Sequence, residues 1–432
     1  VDGSNKKGSS AYSFAVLAPG LLVAATGVGA GDLLTASIAG SVVGMSILWA
    51  APAGAILKYF LTEGVARWQM ATRTTLVEGW VTRFGPWWQW IFLAYLLLWS
   101  FFVGGALVSA CGLAATGLLP LGDDPRFSKA LWGILHSVAG YGLVRIGGYR
   151  LFEKVMSVMI GLMFVTVILT AVLMRPDWNA VLRGCLVPAI PERGVGWLIG
   201  VLGGVGGTVT LLSYGYWIRE KGRLGITGLA ASRTDLGAGY LMTALFGLAM
   251  VMIGSQVSIE EGPTVALELA GQLESTLGPA GRWIFLFGFW GAVFSSLLGV
   301  WQSVPYLFAD LTTLIRKQRG RSRARPGDQS IPVPAEGDRL SETGAYRWFL
   351  LGITVVPLCL LWISIQQVQL VYAIVGAFFM PLLALSLLVM NNRVAWVGES
   401  FRNGWIANSA LVVTLLFFAF VAAREVLRRV GG

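Results

Sequence analysis

Eleven times along this 432-residue chain, about 20 residues pass that are mostly apolar and carry few charges. The runs fall at roughly 13–41, 43–66, 88–117, 129–147, 150–174, 194–219, 235–258, 281–315, 347–365, 368–391 and 405–424. A helix of about 20 residues spans the hydrocarbon core of a bilayer. Inside lipid every backbone N–H and C=O must be paired within the protein, which restricts spanning structures to helices and closed barrels. Runs of this length specify an all-α polytopic membrane protein of about eleven transmembrane helices. Hydrophobic residues at 56%, charged residues at 12% and a mean hydropathy of +0.70 exclude a soluble globular domain.

Short loops rich in Lys and Arg stay on the cytoplasmic side. With the N-terminus inside, that side receives Arg67, Arg73 and Arg83, then Arg145 and Arg150, then Arg219, Lys221, Arg223 and Arg233, then RKQRGRSRAR from Arg316 to Arg325. The opposite side receives Asp123, Asp124, Glu260, Glu261, Glu268 and Glu274. The expectation is a plasma-membrane protein (the inner membrane in a Gram-negative cell) with a cytoplasmic N-terminus; the basic end AAREVLRRVGG alone runs against it. The net charge of +10 follows from this asymmetry, so no nucleic-acid partner is expected. The opening VDGSNKKGSS reads as a polar tail rather than a signal peptide. Residues 316–346 read as a flexible cytoplasmic loop, and 64–87, where Trp and Arg recur at helical spacings, as a segment along the cytoplasmic interface. Cys111, Cys185 and Cys359 lie far apart without CxxC spacing and read as small core residues rather than a disulfide or thiolate metal site.

Two runs are interrupted in the same way. The first contains TGVGAGD (26–32) and the sixth GGVGGTVTLLSYGYW (203–217), glycine-rich near the middle of a span and five helices apart. Paired Gly-interrupted segments at corresponding positions are the sequence sign of a transporter built from two inverted repeats, whose first helices unwind at the binding site. The repeats would be 13–174 and 194–391, with 405–424 an added helix and the whole chain one transport domain. Unwound backbone at that depth must line a cavity or be covered by protein. Asp32 adds an intramembrane carboxylate, which costs roughly 2.5–3.5 kcal/mol on insertion scales and is usually kept for an ion, a proton or a partner. The alternatives are glycines that only permit close helix crossing and an aspartate that caps a half-helix.

The segment APGLLVAATGVGAGDLLTASIAG resembles the first helix of the Nramp (SLC11) metal-transporter family, GPGFLVSxAYxDPGNxATD, through Pro19-Gly20, the apolar run Leu21 to Val23, Gly31 and Thr35. GGTVTLLS resembles the family's sixth helix, GATxMPHN, through Gly206, Thr208 and Val209. The resemblance implies a LeuT-type 5+5 inverted repeat with broken helices 1 and 6, but it places the family's metal ligands on altered residues. Its Asp falls on Gly29, its Asn on Asp32, its carbonyl-donating Ala on Gly207, its Met on Thr210 and its His on Leu212. Without the thioether, a transition-metal site is not expected. The carboxylate of helix 3 and the Arg of helix 9 are also missing, and His136 in helix 4 is the one histidine, so the family's proton route is not expected either.

The candidate substrate site is thus Gly29, Ala30, Gly31 and Asp32 with Gly206, Gly207, Thr208 and Thr210. One reading places there a hard divalent cation, Mg2+ or Mn2+, held by Asp32, Thr210 and freed carbonyls, although one carboxylate offsets only half its charge. The other places a small oxyanion such as bicarbonate on the amides at the half-helix N-termini, with Na+ as the coupling ion on Asp32 and the hydroxyls of Ser295, Ser296 and Ser303. The balance is drawn toward the oxyanion. No other cofactor is expected, the partners are a small inorganic ion and the bilayer, and the oligomeric state is left open. No H-E-x-x-H or G-x-S-x-G motif appears, which argues against an enzyme. A channel remains the other class. Flux through a carrier saturates and shows counter-flow, and unsaturable tracer flux in proteoliposomes would assign the channel instead.

Overall fold

The computed structural model describes residues 19–189, 195–204, 207–256, 270–271, 273–275, 278–323 and 340–430. The first apolar run is two helices. The described part of α1 covers 19–27, the chain leaves helical geometry at Val28 and Gly29, and α2 runs over Ala30–Val43. A 3-10 turn, Gly44–Ile47, then redirects the chain by 103° into α3, Ala50–Thr72. Gly44 opens that turn at φ +69, a left-handed conformation that costs glycine little.

There follow α4 (Leu76–Phe84), α5 (Trp88–Leu118), α6 (Pro125–Leu173), α7 (Trp178–Leu186) and α8 (Val195–Gly204). The sixth run is broken like the first. The described part of α8 reaches Gly204, Gly207 has φ +82, and a 3-10 turn over Val209–Leu212 leads into α9, Ser213–Glu220. The rest of the described chain comprises α10 (Gly225–Ser255), α11 (Pro279–Arg323), α12 (Gly344–Val355) with a 3-10 extension to Trp362, α13 (Ile365–Ala377), α14 (Phe379–Met390), the single turn α15 (Val394–Val397) and α16 (Trp405–Val430). Among the described residues six helices are long and apolar enough to cross a membrane, and the bent pair of α2 and α3 adds a seventh. The remaining expected runs are the broken sixth one, the first half of α6 and α16.

Three expectations are corrected. Runs 129–147 and 150–174 are joined in α6 without a break in helical assignment over 49 residues. The helix nevertheless doubles back. Trp290 Nε1 donates to His136 Nε2 at 2.8 Å, while a Cβ on the neighbouring Gly291 would lie 3.5 Å from the Met159 carbonyl oxygen. A straight helix would hold residues 136 and 159 about 35 Å apart. Two antiparallel arms against α11 therefore replace a straight rod, as two separate spans would.

The second correction concerns 64–87. α3 continues to Thr72, Trp68 and Trp80 are buried among the largest core side chains, and a Cβ on Gly79 would strike the Trp68 ring at 2.6 Å. Glycine lets an indole pack where a surface segment was expected. Third, residues 316–323 prolong α11, since Arg, Lys and Gln are good helix formers. Residues 324–339 of that expected loop lie outside the described part, and Leu340–Glu342 already form a 3-10 turn before α12.

Close crossings organise the interior. A Cβ on Gly254 of α10 would collide with the Ser37 carbonyl of α2, and one on Gly40 of α2 with the Val251 carbonyl of α10. α11 forms the wall behind both breaks and is the most enclosed of the spans. α4 is tied to it by Thr75. Its Oγ1 donates to Asp310 Oδ2 at 2.6 Å and accepts the Glu78 N–H at 3.1 Å as an N-cap. Burial, and then the nearby Asp310, raise the Glu78 carboxyl above its usual range. Thr75→Ala removes the cap and leaves Asp310 one donor short; it should cost about 1–3 kcal/mol, read as a lowered unfolding midpoint of the detergent-solubilised protein.

Candidate functional site

The two breaks lie against each other. A Cβ built on Gly207 would come within 3.3 Å of the Gly27 Cα and would collide with Thr210 Oγ1. Around them close α5, α11 and α13, and the space between is lined by Thr26, Gly27 and Gly29 of the first break, Thr210 of the second, Trp99, Val103, Ala106 and Leu107 of α5, Ser296 and Val300 of α11, and Gln369 and Tyr372 of α13. About 10 Å³ of it is open to the centre of a water-sized sphere, roughly what one water molecule requires.

Each wall is fixed by a specific contact. Ser296 Oγ lies 3.0 Å from the carbonyl oxygens of Thr26 and Val28, and Ser295 Oγ donates to the Ala25 carbonyl at 3.1 Å. The carbonyls freed where α1 ends thereby gain partners on α11. Gly29 makes this possible, since a Cβ there would meet Ser296 Oγ at 2.7 Å. Trp99 Nε1 donates to Thr208 Oγ1 at 3.1 Å, pinning the second break to α5. Two oxygens of the lining residues are buried without a hydrogen-bond partner, Thr26 Oγ1 and Gln369 Oε1. The Gln369 amide nitrogen donates to the carbonyl of Ala106, another lining residue, at 3.4 Å. A buried unpaired acceptor costs about 1–3 kcal/mol, so both oxygens have hydrogen-bonding or ligating capacity to spare.

The structure brings together much of the site expected from sequence. Gly29 and Thr210 line the cavity, Gly207 and Thr208 form its second break, and Ala30, Gly31 and Asp32 lie in the first turn of α2. The side chain of Asp32 and all of Gly206 lie outside the described residues. Of the three serines, Ser295 and Ser296 converge on the first break, whereas Ser303, two turns further along α11, is absent from the lining. Seven residues of helix rise carry it about 10 Å away from Ser296. Thr26, Trp99, Gln369 and Tyr372 went unread. Gln369 stands in SIQQVQL, where three glutamines resemble a helix boundary rather than an intramembrane ligand. His136 has both ring nitrogens engaged, Nδ1 with the Trp132 carbonyl at 2.7 Å and Nε2 with Trp290, and it stands apart from the cavity. Among the described residues no three His, Cys, Asp or Glu side chains gather into a metal-binding group.

Two discontinuous helices meeting at a small cavity with a few polar groups are the arrangement of a secondary transporter of the inverted-repeat class. The solved structures agree. A manganese transporter of Eremococcus coleocola, in a mutant form, superposes with a TM-score of 0.70 over 98% of this chain and 87% of its own at 15% identity. MhsT in complex with L-phenylalanine matches with 0.55 over 93% and 98% at 17% identity, and Mhp1, a nucleobase-cation-symport-1 family transporter, with 0.54 over 96% and 93% at 12% identity. At these identities the likeness is one of fold. In sequence, an uncharacterized protein of Pasteurella multocida is 23% identical over 334 residues, 74% of this chain and 75% of that one. The family model described as natural resistance-associated macrophage protein-like, Nramp, matches residues 20–428. The chain belongs to the Nramp family and is an ion transporter of the membrane.

The geometry of the breaks sets a measurable requirement. Gly29→Val would push α11 from the freed carbonyls, and Gly207→Val would add a branched side chain at positive φ, a strain of about 1–3 kcal/mol. Each should lower transport at least about tenfold while the protein still elutes as a monodisperse peak; full transport in both would show that the breaks are not the site.

Proposed function

We propose that the protein is a carrier of a hard divalent cation, Mg2+ above all, moved by alternating access through the cavity between the two breaks. The observation that carries this reading is the unpartnered pair Thr26 Oγ1 and Gln369 Oε1 on the lining. The amide oxygen can only accept, so it favours a cation and repels an oxyanion. Among the described residues no Lys or Arg lines the cavity, so no fixed positive charge there serves an anion. The expected preference for an oxyanion therefore loses its support, and family membership weighs on the same side. Among cations, the described lining residues include no Met, Cys or His, which favours a hard ion over a transition metal. Asp32 is the carboxylate we assign to the cation's charge, by its position beside the break.

Na+ is the coupling ion of this reading. Ser295 and Ser296 with the carbonyls of Ala25, Thr26 and Val28 form a cluster of oxygens of the kind Na+ takes, next to the substrate cavity. The N-terminus is assigned to the cytoplasm by the basic loops.

Proteoliposomes test the substrate directly. Saturable Mg2+ uptake is expected in the wild type, lowered about tenfold by Thr26→Val or Gln369→Leu and abolished by Asp32→Asn. Ser296→Ala should weaken its dependence on Na+. Calorimetry should find no micromolar Mn2+ binding. Bicarbonate-driven alkalinisation of the lumen in the absence of any Mg2+ flux would reverse the assignment in favour of the oxyanion.

A further inference from the structure

Below the cavity, on the side of the protein where α1 begins, a second polar cluster is buried that takes no part in lining it. Its centre is Asp235 of α10, whose side chain is wholly enclosed. Three donors from three parts of the chain end on its carboxylate. Tyr214 Oη of α9 donates to Oδ1 at 2.7 Å, Arg223 Nη1 from the segment between α9 and α10 donates to Oδ2 at 2.6 Å, and the backbone N–H of Gly20 in α1 donates as well. The approach of α1 is as close as backbones allow. A Cβ on Gly20 would collide with the Asp235 carbonyl, and one on Gly239, a turn further along α10, with the Gly20 carbonyl.

The support beneath Asp235 is itself anchored. α10 is joined to α3 by Arg233 Nε donating to Glu63 Oε1 at 2.9 Å and by Thr62 and Tyr240 sharing a hydrogen bond of 2.6 Å. Glu63 is in turn held by Arg67, which also donates to the Arg402 carbonyl at 2.8 Å. α9 is held on its other face too. Tyr216 lies two residues beyond Tyr214, about 200° around the helix, and its hydroxyl donates to Asp310 Oδ2 of α11 at 2.8 Å, while Trp217 Nε1 donates to Gln302 Oε1 at 2.8 Å.

α1 precedes the first break and α9 follows the second, so with the N-terminus inside both are the half-helices on the cytoplasmic side, and in carriers of this class one bundle rocks against the other around a fixed site. We propose that Asp235 is a positioning residue for transport: a latch that ties the inner halves of both broken helices to α10 and keeps the cavity closed toward the cytoplasmic side. A hydrogen bond to a charged group is stronger than a neutral one, and two of the three donors here reach the carboxylate from the half-helices themselves. Release of one carboxylate thus frees both at once, which makes their opening concerted. The proposal rests on the alternating-access reading and on the orientation given above, and is independent of which ion is carried.

The test is one-sided thiol labelling in the full chain with Cys111, Cys185 and Cys359 replaced by Ser. Ser213→Cys, buried at the start of α9, reports on the inner side in inverted vesicles, and Ser46→Cys, in the turn after α2, reports on the outer side in right-side-out vesicles. Both use a membrane-impermeant maleimide without added substrate. Asp235→Asn should speed labelling of the inner reporter about tenfold and leave the outer reporter unchanged or slower. Tyr214→Phe, which removes a single hydroxyl, should act in the same direction, and Asp235→Glu should return the rate toward wild type. If Asp235→Asn does not fold, Tyr214→Phe decides. Unchanged inner labelling in the folded variants, or an equal rise at both reporters as general loosening would give, overturns the latch. Failure of Mg2+ uptake with one-sided labelling intact would refute only the choice of substrate.

Discussion

A helix that unwinds within a bilayer releases backbone groups that water cannot satisfy, and the arrangement of this protein follows from how those groups are paired. At the first break the carbonyls of Ala25, Thr26 and Val28 meet Ser295 and Ser296 on α11. At the second, Thr208 is bound by Trp99 of α5, and Gly207 adopts a left-handed conformation against Gly27. α5 and α11 are therefore partners in the unwinding as well as walls. Were α11 moved away, the first break would hold unpaired carbonyls in an apolar medium, a cost of several kcal/mol per group; α5 holds the second break through the Thr208 side chain.

Once the breaks are satisfied in this way, what remains unsatisfied is informative. Most polar groups in the interior are bonded, including both nitrogens of His136 and the carboxylates of Glu63, Asp235 and Asp310. Of the buried polar atoms left without a partner, Thr26 Oγ1 and Gln369 Oε1 are the two that belong to residues of the cavity lining. Their chemistry differs from what the altered ligand positions suggest when read alone. Loss of the family's principal carboxylate at Gly29 and of its thioether at Thr210 makes a cation look poorly served, yet α13, distant from both in sequence, brings the amide of Gln369 to the same cavity.

Buried ion pairs gather on one side of the cavity and join helices to one another. Glu63 joins α3 to α10, and Asp235 joins α10 to α1 and α9. Removal of one partner from such a pair strands the other in a low-dielectric interior. Contacts of this kind are consequently stiff until they break, and then break together. That is the behaviour needed of elements that must alternate between two arrangements.

The architecture was legible in the residues because its determinants are local. Runs of about 20 apolar residues declare spans, and glycine clusters five spans apart declare the breaks, which fall at Val28–Gly29 and before Thr208 as the spacing required. The same local reasoning failed where a neighbour decides the outcome. Trp68 and Trp80 look interfacial until Gly79 is seen to admit an indole; Ser303 looks equivalent to Ser296 until helix rise carries it past the break; and Gln369 looks like a span boundary until α13 turns it into the cavity. Sequence by itself determined that the chain spans a membrane and where it unwinds, since both follow from segment hydropathy and backbone freedom. Which polar groups line the cavity, and which carboxylate joins the half-helices, were decided only in the tertiary structure, because those groups come from helices whose proximity no single segment encodes.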